Sequence, residues 1–231
     1  MTVERRFVRV PQGTVHCALA GTGRPVLLLH QTPRSCDEYR DVLPLLARRR
    51  RAIAMDTLGF GDSVGAADEP ESIELWAAAA VSLLDALEVE TAAVVGHHTG
   101  AVIALELAAT HADRVEAAVL SSAPYVDAPY RAAHAGRAVV DEVERRADGR
   151  HLLELWALRQ PFYPAGDIDL LERFVVDALK AGDRAAEGHR VVARYDMEAA
   201  LPRVTCPVLL IDAAEDPHAS PFAERLHAAL P

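Results

Sequence analysis

Cysteine is scarce in this 231-residue sequence, and long apolar runs are missing from it. The three cysteines, Cys17, Cys36 and Cys206, are scattered, and their spacing matches neither a disulfide framework nor a zinc site. Apolar runs such as residues 25–29 are far shorter than the ~20 residues that span a bilayer. The first residues show no apolar segment typical of a signal peptide. We therefore expect a cytoplasmic protein with reduced thiols.

Positive charge is also in deficit, with 24 Lys and Arg against 34 Asp and Glu and a net charge of −10. An acidic protein repels nucleic acid and anionic membrane surfaces, so we expect neither as a partner. Hydrophobic residues reach 51% and charged residues 25%, a balance that predicts a sizeable buried core and excludes a disordered chain. The length suits one large domain or a core with an inserted lid.

Short apolar runs alternate with helical periodicity up to residue 124. The runs predict strands at residues 7–10, 15–20, 26–29, 52–55, 92–95 and 115–120, and the periodicity predicts helices at 37–48, 73–87 and 101–109. This alternation predicts an α/β fold with a mainly parallel sheet flanked by helices.

Strand patterns then disappear until residue 207. Helices are predicted at residues 133–147, 151–159, 170–180 and 184–195, and a buried strand returns at 207–211. We therefore divide the chain into a core of residues 1–124 and 201–231 and an inserted helical lid, or cap, of residues 125–200.

The segment from Gly96 to Gly100 is the most informative one for chemistry. A strand ending in two valines enters it, and an apolar helix leaves it. This is the setting of a nucleophile elbow, a sharp turn that presents its central side chain above the sheet edge. The backbone N–H of the next residue, at the helix N-terminus, can then stabilise an anion.

Four segments in this order resemble motifs of the α/β-hydrolase superfamily. They are LLHQTP at residues 28–33, DTLGFGDS at 56–63, GHHTG at 96–100, and CPVLLI at 206–211 followed by EDP at 215–217. The resemblance covers essentially the whole length. It implies an α/β-hydrolase fold and an enzyme that hydrolyses an ester, amide, lactone or C–C bond of a small, fairly apolar molecule held beneath the lid.

The sequence departs from the family pattern at three places. His98 stands where the family has Ser, Cys or Asp, and Gln31 replaces the usual Gly after His30. The family also continues past the equivalent of Pro231 with a strand, a loop carrying the catalytic His and a helix. We expect either that the sequence is a truncated version of the protein or that the protein has lost this piece.

The resemblance assigns catalytic roles to His98 and Asp216, and oxyanion donors to the N–H groups of Gln31 and Thr99. Imidazole at the elbow could act as a general base on water, with Asp216 fixing its tautomer, or attack directly, or be inert. His30 and His97 complete the predicted oxyanion and substrate-binding set, and a structural role stays open for both.

A second function class also stays open, namely a lyase, cyclase or ligand-binding protein that uses the same pocket. The missing Ser favours it, whereas the retained acid turn favours hydrolysis. Asp127 is a weaker candidate acid and His218 a weaker candidate base, while Asp56 is predicted to hold its turn together. No cofactor and no metal are predicted, because dinucleotide and phosphate loops are missing and His97 and His98 should point apart.

Overall fold

The structure is a computed structural model that describes residues 2–66, 70–137 and 139–231. Met1, residues 67–69 and Ala138 lie outside the described residues. The strands are β1 (Glu4–Val10), β2 (Gly13–Ala20), β3 (Pro25–Leu29), β4 (Arg51–Met55), β5 (Val64–Gly65), β6 (Ala92–His97), β7 (Val115–Ser121) and β8 (Val208–Ile211). The α-helices are α1 (Leu43–Leu46), α2 (Ile73–Ala86), α3 (Thr99–Thr110), α4 (Ala128–His134), α5 (Arg150–Arg159), α6 (Ile168–Ala181), α7 (Arg184–Arg194), α8 (Met197–Ala200) and α9 (Ala223–Ala229).

The sheet has the order β1-β2-β4-β3-β6-β7-β8, with β5 beside β2. Strands β4, β3, β6, β7 and β8 pair in parallel, and β1, β2 and β5 are joined by antiparallel pairing. The predicted mainly parallel sheet is therefore confirmed. Gly96 lies opposite both Leu29 and Leu120, so the turns after β3, β6 and β7 meet at one edge of the sheet.

Strands β2, β3 and β4 are buried on both faces, as their continuous apolar runs predicted. Alternate residues point to opposite faces: Leu27 and Leu29 pack in a large cluster with α2 and α3, and Val26 and Leu28 in a smaller one with Leu43. The turns that follow β3, β6 and β7 are therefore attached to a well-packed sheet.

Strand β8 differs from this pattern. The strand predicted at 207–211 is present as β8, but it lies at the edge of the sheet. Leu209 is 57% and Ile211 49% exposed, so its predicted burial is wrong.

Two predicted helices are wrong. The segment 37–48 holds a 3-10 turn, Cys36–Tyr39, and the one-turn helix α1, because Pro44 can only begin a helix and cannot continue one. The predicted helix at 133–147 is replaced by α4, which begins after Asp127 and ends before Gly136 at φ +68. Described residues 139–149 form turns and irregular backbone.

Between β7 and β8 the described residues form helices and connecting segments, with no strand, in agreement with the predicted helical block. Two of its helices, α5 and α6, carry a third cluster around Leu155, Leu171 and Phe174. Among the described helices, none has the length and hydropathy that crossing a membrane requires.

Candidate active site

His98 occupies the tip of the turn between β6 and α3, residues 96–100, which we call the elbow turn. Its backbone has φ 48 and ψ −112, a conformation that is strained for a residue with a side chain. A Cβ at Gly96 would collide with the carbonyl oxygen of Gly100, and one at Gly100 with that of Leu29. The two glycines therefore let strand and helix approach, and the turn between them holds His98 at the sheet edge.

The structure places Asp216 in contact with His98. The Nε2 atom of His98 lies 2.8 Å from Oδ2 of Asp216, and the two side chains are 22% and 11% exposed. Asp216 follows β8 and accepts the N–H of His218 at 2.8 Å. Burial alone would raise the pKa of Asp216, but the hydrogen bond and charge of His98 outweigh it and hold that pKa well below its usual range. His98 and Asp216, which we call the dyad, thus pair an imidazole with a carboxylate that faces its Nε2.

His97 points to a different partner, as predicted for a tight turn. Its Nδ1 lies 3.1 Å from the hydroxyl of Ser121, and its ring stands nearly perpendicular to that of His98 with centroids 4.6 Å apart. Burial lowers the pKa of His97 and outweighs the opposing pull of the Glu38 and Asp216 carboxylates. At neutral pH His97 is therefore an uncharged wall of the site.

His30 is buried in the turn after β3, residues 30–39, which we call the β3 turn. Its Nε2 accepts the N–H of Thr57 at 2.9 Å, so Nδ1 carries the proton and donates to the carbonyl of Gln31 at 2.8 Å. Both ring nitrogens are used within the protein and the residue is 1% exposed. Its contacts support the structural alternative for His30.

Gln31 does not offer a free N–H, contrary to the expectation for an oxyanion donor. Its backbone N–H donates to Oε2 of Glu38 at 2.9 Å, and its side-chain Nε2 donates to Oε1 of the same carboxylate at 2.7 Å. Thr99, the other expected donor, begins α3, and its hydroxyl accepts the N–H of Thr32 at 3.3 Å. The sequence reasoning missed Glu38; the one available signal was an acid seven residues after an unusual Gln.

The weaker candidates have other partners. Asp127 caps α4 by accepting the N–H of Tyr130 at 2.8 Å and pairs with Arg225, so it is not the acid of the elbow. The ring of His218 lies 5.6 Å from that of Phe162, and burial lowers its pKa. Phe162 lies in the turn after α5, so the helical segment between β7 and β8 contacts a residue two positions after Asp216.

One further cluster could hold a metal ion by its donor types. His16 Nδ1, Cys36 Sγ and an oxygen of Asp56 lie within 4.8 Å of one another and are buried. Asp56 already accepts N–H groups of His16, Cys36 and Asp62, so its contacts are explained by the turn it was predicted to hold. These bonds outweigh burial and lower the pKa of Asp56 to about 2, while burial raises that of Cys36.

A cavity of about 710 Å³ borders this cluster and not the dyad. It lies between the β3 turn and α6, and its lining includes Asp37, Arg173, Asp177 and Lys180. The lining is charged, which does not suit the apolar substrate expected from the sequence. We therefore build the site on the elbow turn and the groups around it.

The chain is similar to known proteins in family, in sequence and in structure. The sequence profile of a family described as alpha/beta hydrolase fold matches residues 24–151. A 2-hydroxymuconate semialdehyde hydrolase of Pseudomonas sp. (strain CF600) is 41% identical over 113 residues, 48% of this chain and 40% of the relative. Haloalkane dehalogenase 2 of Mycobacterium bovis is 33% identical over 119 residues, 52% of this chain and 42% of the relative. The chain thus spans about two fifths of the length of these relatives.

Solved structures match over nearly the whole chain. A hydrolase from Pseudomonas aeruginosa PA01 has a TM-score of 0.80 at 22% identity and covers 98% of this chain and 87% of its own. An epoxide hydrolase from an endophytic Streptomyces has a TM-score of 0.78 at 25% identity, with 98% and 84% covered. At such identities the likeness establishes the fold.

Proposed function

The chain belongs to the alpha/beta hydrolase fold family, and on that premise we propose that it hydrolyses an ester, amide, lactone or C–C bond of a small molecule at the His98–Asp216 pair. The observation that carries the proposal is the 2.8 Å contact between His98 Nε2 and Asp216 Oδ2 at the tip of the elbow turn. It supports a base with a fixed tautomer at the position where this fold presents its reacting side chain.

His98 acts on water in this proposal. Because a carboxylate can only accept, the 2.8 Å contact with Oδ2 of Asp216 favours the tautomer of His98 with its proton on Nε2, and the lone pair of Nδ1 is then the one left to take a proton. Water attacks the substrate carbonyl carbon and gives its proton to Nδ1, and Asp216 stabilises the resulting imidazolium. The bond to the leaving group then breaks, and the proton passes from Nδ1 to that group.

The N–H of Thr99, at the N-terminus of α3, is the group that would face a developing oxyanion. Because Asp216 is placed to stabilise an imidazolium, the pair supports proton transfer from water to His98, and the proposal includes no covalent intermediate.

Residues 125–200 serve as the lid over this site in our proposal. The contact between Phe162 and His218, two residues past Asp216, supports it, since it brings the helical block to the dyad. Phe162 is 47% exposed and offers apolar surface for a substrate. The names of the relatives, a semialdehyde hydrolase and a dehalogenase, support a small-molecule substrate. A cytoplasmic location stays a prediction from the sequence.

One observation favours the second function class, a lyase, cyclase or binding protein. Glu38 holds the Gln31 N–H that a hydrolase of this fold would use for an oxyanion. If Glu38 stays in place during turnover, only Thr99 is left to stabilise that charge.

A panel of chromogenic esters, lactones and vinylogous diketones tests the proposal. Wild-type protein should turn over at least one of them, and His98→Ala should lower kcat/KM by ~10²–10⁴-fold, the usual worth of a general base. His227→Ala, which removes an exposed histidine of α9, is the matched control and should leave the rate unchanged. Activity that survives in His98→Ala, or an inert wild type that binds the compounds unchanged, would move the assignment to the second class.

A further inference from the structure

Glu38 is a carboxylate built into the place where the family pattern expects an empty anion site. Both of its oxygens accept hydrogen bonds from Gln31: Oε2 accepts the backbone N–H at 2.9 Å, and Oε1 accepts the side-chain Nε2–H at 2.7 Å. Gln31 is the residue that departs from the family's Gly. The side chain of Gln31, which a Gly would lack, thus supplies the second hydrogen-bond donor that holds the Glu38 carboxylate.

The 3-10 turn that carries Glu38 is firmly anchored. The N–H of Cys36 donates to Asp56 at 2.6 Å, and the hydroxyl of the buried Tyr39 donates to the carbonyl of Leu29 at 2.7 Å. Ser35 caps the turn through Asp37 N–H. Glu38 is therefore held from both sides along the chain, and its carboxylate cannot leave Gln31 without breaking two hydrogen bonds.

Glu38 belongs to the same site as the dyad. The N–H of Thr32, the residue after Gln31, donates to the hydroxyl of Thr99, the residue after His98, at 3.3 Å. The charge of Glu38 also opposes the burial that lowers the pKa of His97, whose ring contacts that of His98.

The nearby cation Arg34 is already bound to Asp177 at 2.8 Å and to the hydroxyl of Tyr163 at 3.3 Å. Among the described residues no cation forms a salt bridge with Glu38, and the charge of Arg34 attracts it only from a longer distance.

A carboxylate accepts hydrogen bonds and donates none, and each of its oxygens has a further lone pair. An oxyanion placed at Gln31 would meet a like charge, whereas an N–H or O–H group would meet an acceptor. The net charge of −10 adds a field of the same sign. The electrostatics of this position are thus opposite to those of an oxyanion hole.

We propose that Glu38 is a substrate-binding residue of the elbow site, and that it takes a hydrogen-bond-donating group of the substrate, in the strongest case a cationic nitrogen such as an amidinium or ammonium. The inference rests on the site of the proposed function, but it concerns what binds beside His98 and not what His98 does. Gln31 is the positioning residue for this carboxylate.

Calorimetric titration with three probes of one shape tests the inference: benzamidine, benzamide and benzoate. Wild-type protein at pH 7 should bind benzamidine at least about tenfold more tightly than benzoate. Glu38→Gln, which keeps the shape and removes the charge, should weaken benzamidine by about tenfold or more and strengthen benzoate. The benzamidine affinity of Glu38→Asp should lie between those of the wild type and Glu38→Gln. The negative charge is kept, but the shorter side chain loses the pair of hydrogen bonds from Gln31.

Glu90→Gln is the matched control, because Glu90 is an exposed acid outside the site. The substitution makes the net charge less negative by the same one unit and should leave all three affinities unchanged. Thermal unfolding of each variant checks that it is folded. A wild type that binds benzoate more tightly, or binds no benzamidine at millimolar concentration, overturns the inference, as does unchanged benzamidine binding in Glu38→Gln.

His98→Ala separates this inference from the proposed function. It should lower kcat/KM for hydrolysis by ~10²–10⁴-fold and keep the preference for benzamidine over benzoate. Hydrolysis that depends on His98 together with indifference to Glu38 would remove only the inference about Glu38. The opposite pattern would remove only the assignment of the reaction.

Discussion

The elbow turn and the β3 turn lie side by side at one edge of the sheet, yet they are held in different ways. Backbone packing fixes the elbow turn, because Gly96 and Gly100 leave room for strand and helix to touch. Polar side chains fix the β3 turn, among them Glu38 and the buried pair of Arg34 and Asp177. We therefore expect larger side chains at the glycines of the elbow turn, and loss of charged side chains in the β3 turn, to lower the stability of the protein.

The largest effect is expected from Gly100→Ala. The new Cβ would strike the carbonyl of Leu29, which belongs to the central sheet and cannot yield, so we expect a loss of more than about 3 kcal/mol in the free energy of unfolding, or no folded protein. Gly65→Ala is the control, because its Cβ would make only an ordinary contact with Leu58. Urea denaturation measures both. Equal stability of the two variants would contradict the claim that close backbone packing fixes the elbow turn.

Asp177→Ala should weaken the β3 turn. Asp177 lies on α6 and binds both Arg34 and the hydroxyl of Ser35 at 2.8 Å, so its loss leaves a guanidinium 3% exposed without its carboxylate. Removing one partner of a buried pair costs about 3–5 kcal/mol, and we expect the lower end. Asp169→Ala, an exposed acid on the same helix, should change little. If the two variants unfold at the same urea concentration, the pair does not hold the turn.

A smaller effect, with a defined pH range, is expected from Asp56→Asn. The pKa of Asp56 is about 2 in the folded chain against an ordinary 3.8, so its charge stabilises the folded state above pH 4, and this contribution is lost as pH falls toward 2. The variant should lose about 2 kcal/mol at pH 7 and show a weaker dependence of stability on pH in that range. Asp113→Asn, an exposed control, should keep the wild-type profile. An Asp56→Asn profile parallel to that of the wild type would contradict this.

The sequence predicted what depends on local pattern and on family resemblance. The positions of the strands, the elbow turn and the turn after β8 that carries Asp216 were all predicted, because apolar runs, glycine spacing and motif order report them directly. The exposure of β8 was not predicted, because an apolar run indicates a strand but not whether a neighbour covers it. The split of segment 37–48 was missed because periodicity was given more weight than Pro44. The start of α4 was missed although Asp127 and Pro129 are a helix-start signal.

The partner of Gln31 could not be read from the sequence. Its replacement of Gly was noted, but a side chain's partner depends on how the chain bends, and the bend here follows from the broken helix at residues 36–46. The same error in secondary structure therefore hid Glu38. The contact of His98 with Asp216, by contrast, followed from two strand ends at one edge of a parallel sheet.

The central claim is that His98 activates water and does not form a bond to the substrate. The ratio of kcat/KM in H2O to kcat/KM in D2O for the enzyme's best ester tests this most directly, because water gives its proton to His98 in the transition state only when His98 is a general base. We predict a ratio of about two or more. A ratio of about one, which direct attack by His98 on the substrate predicts, would contradict the account.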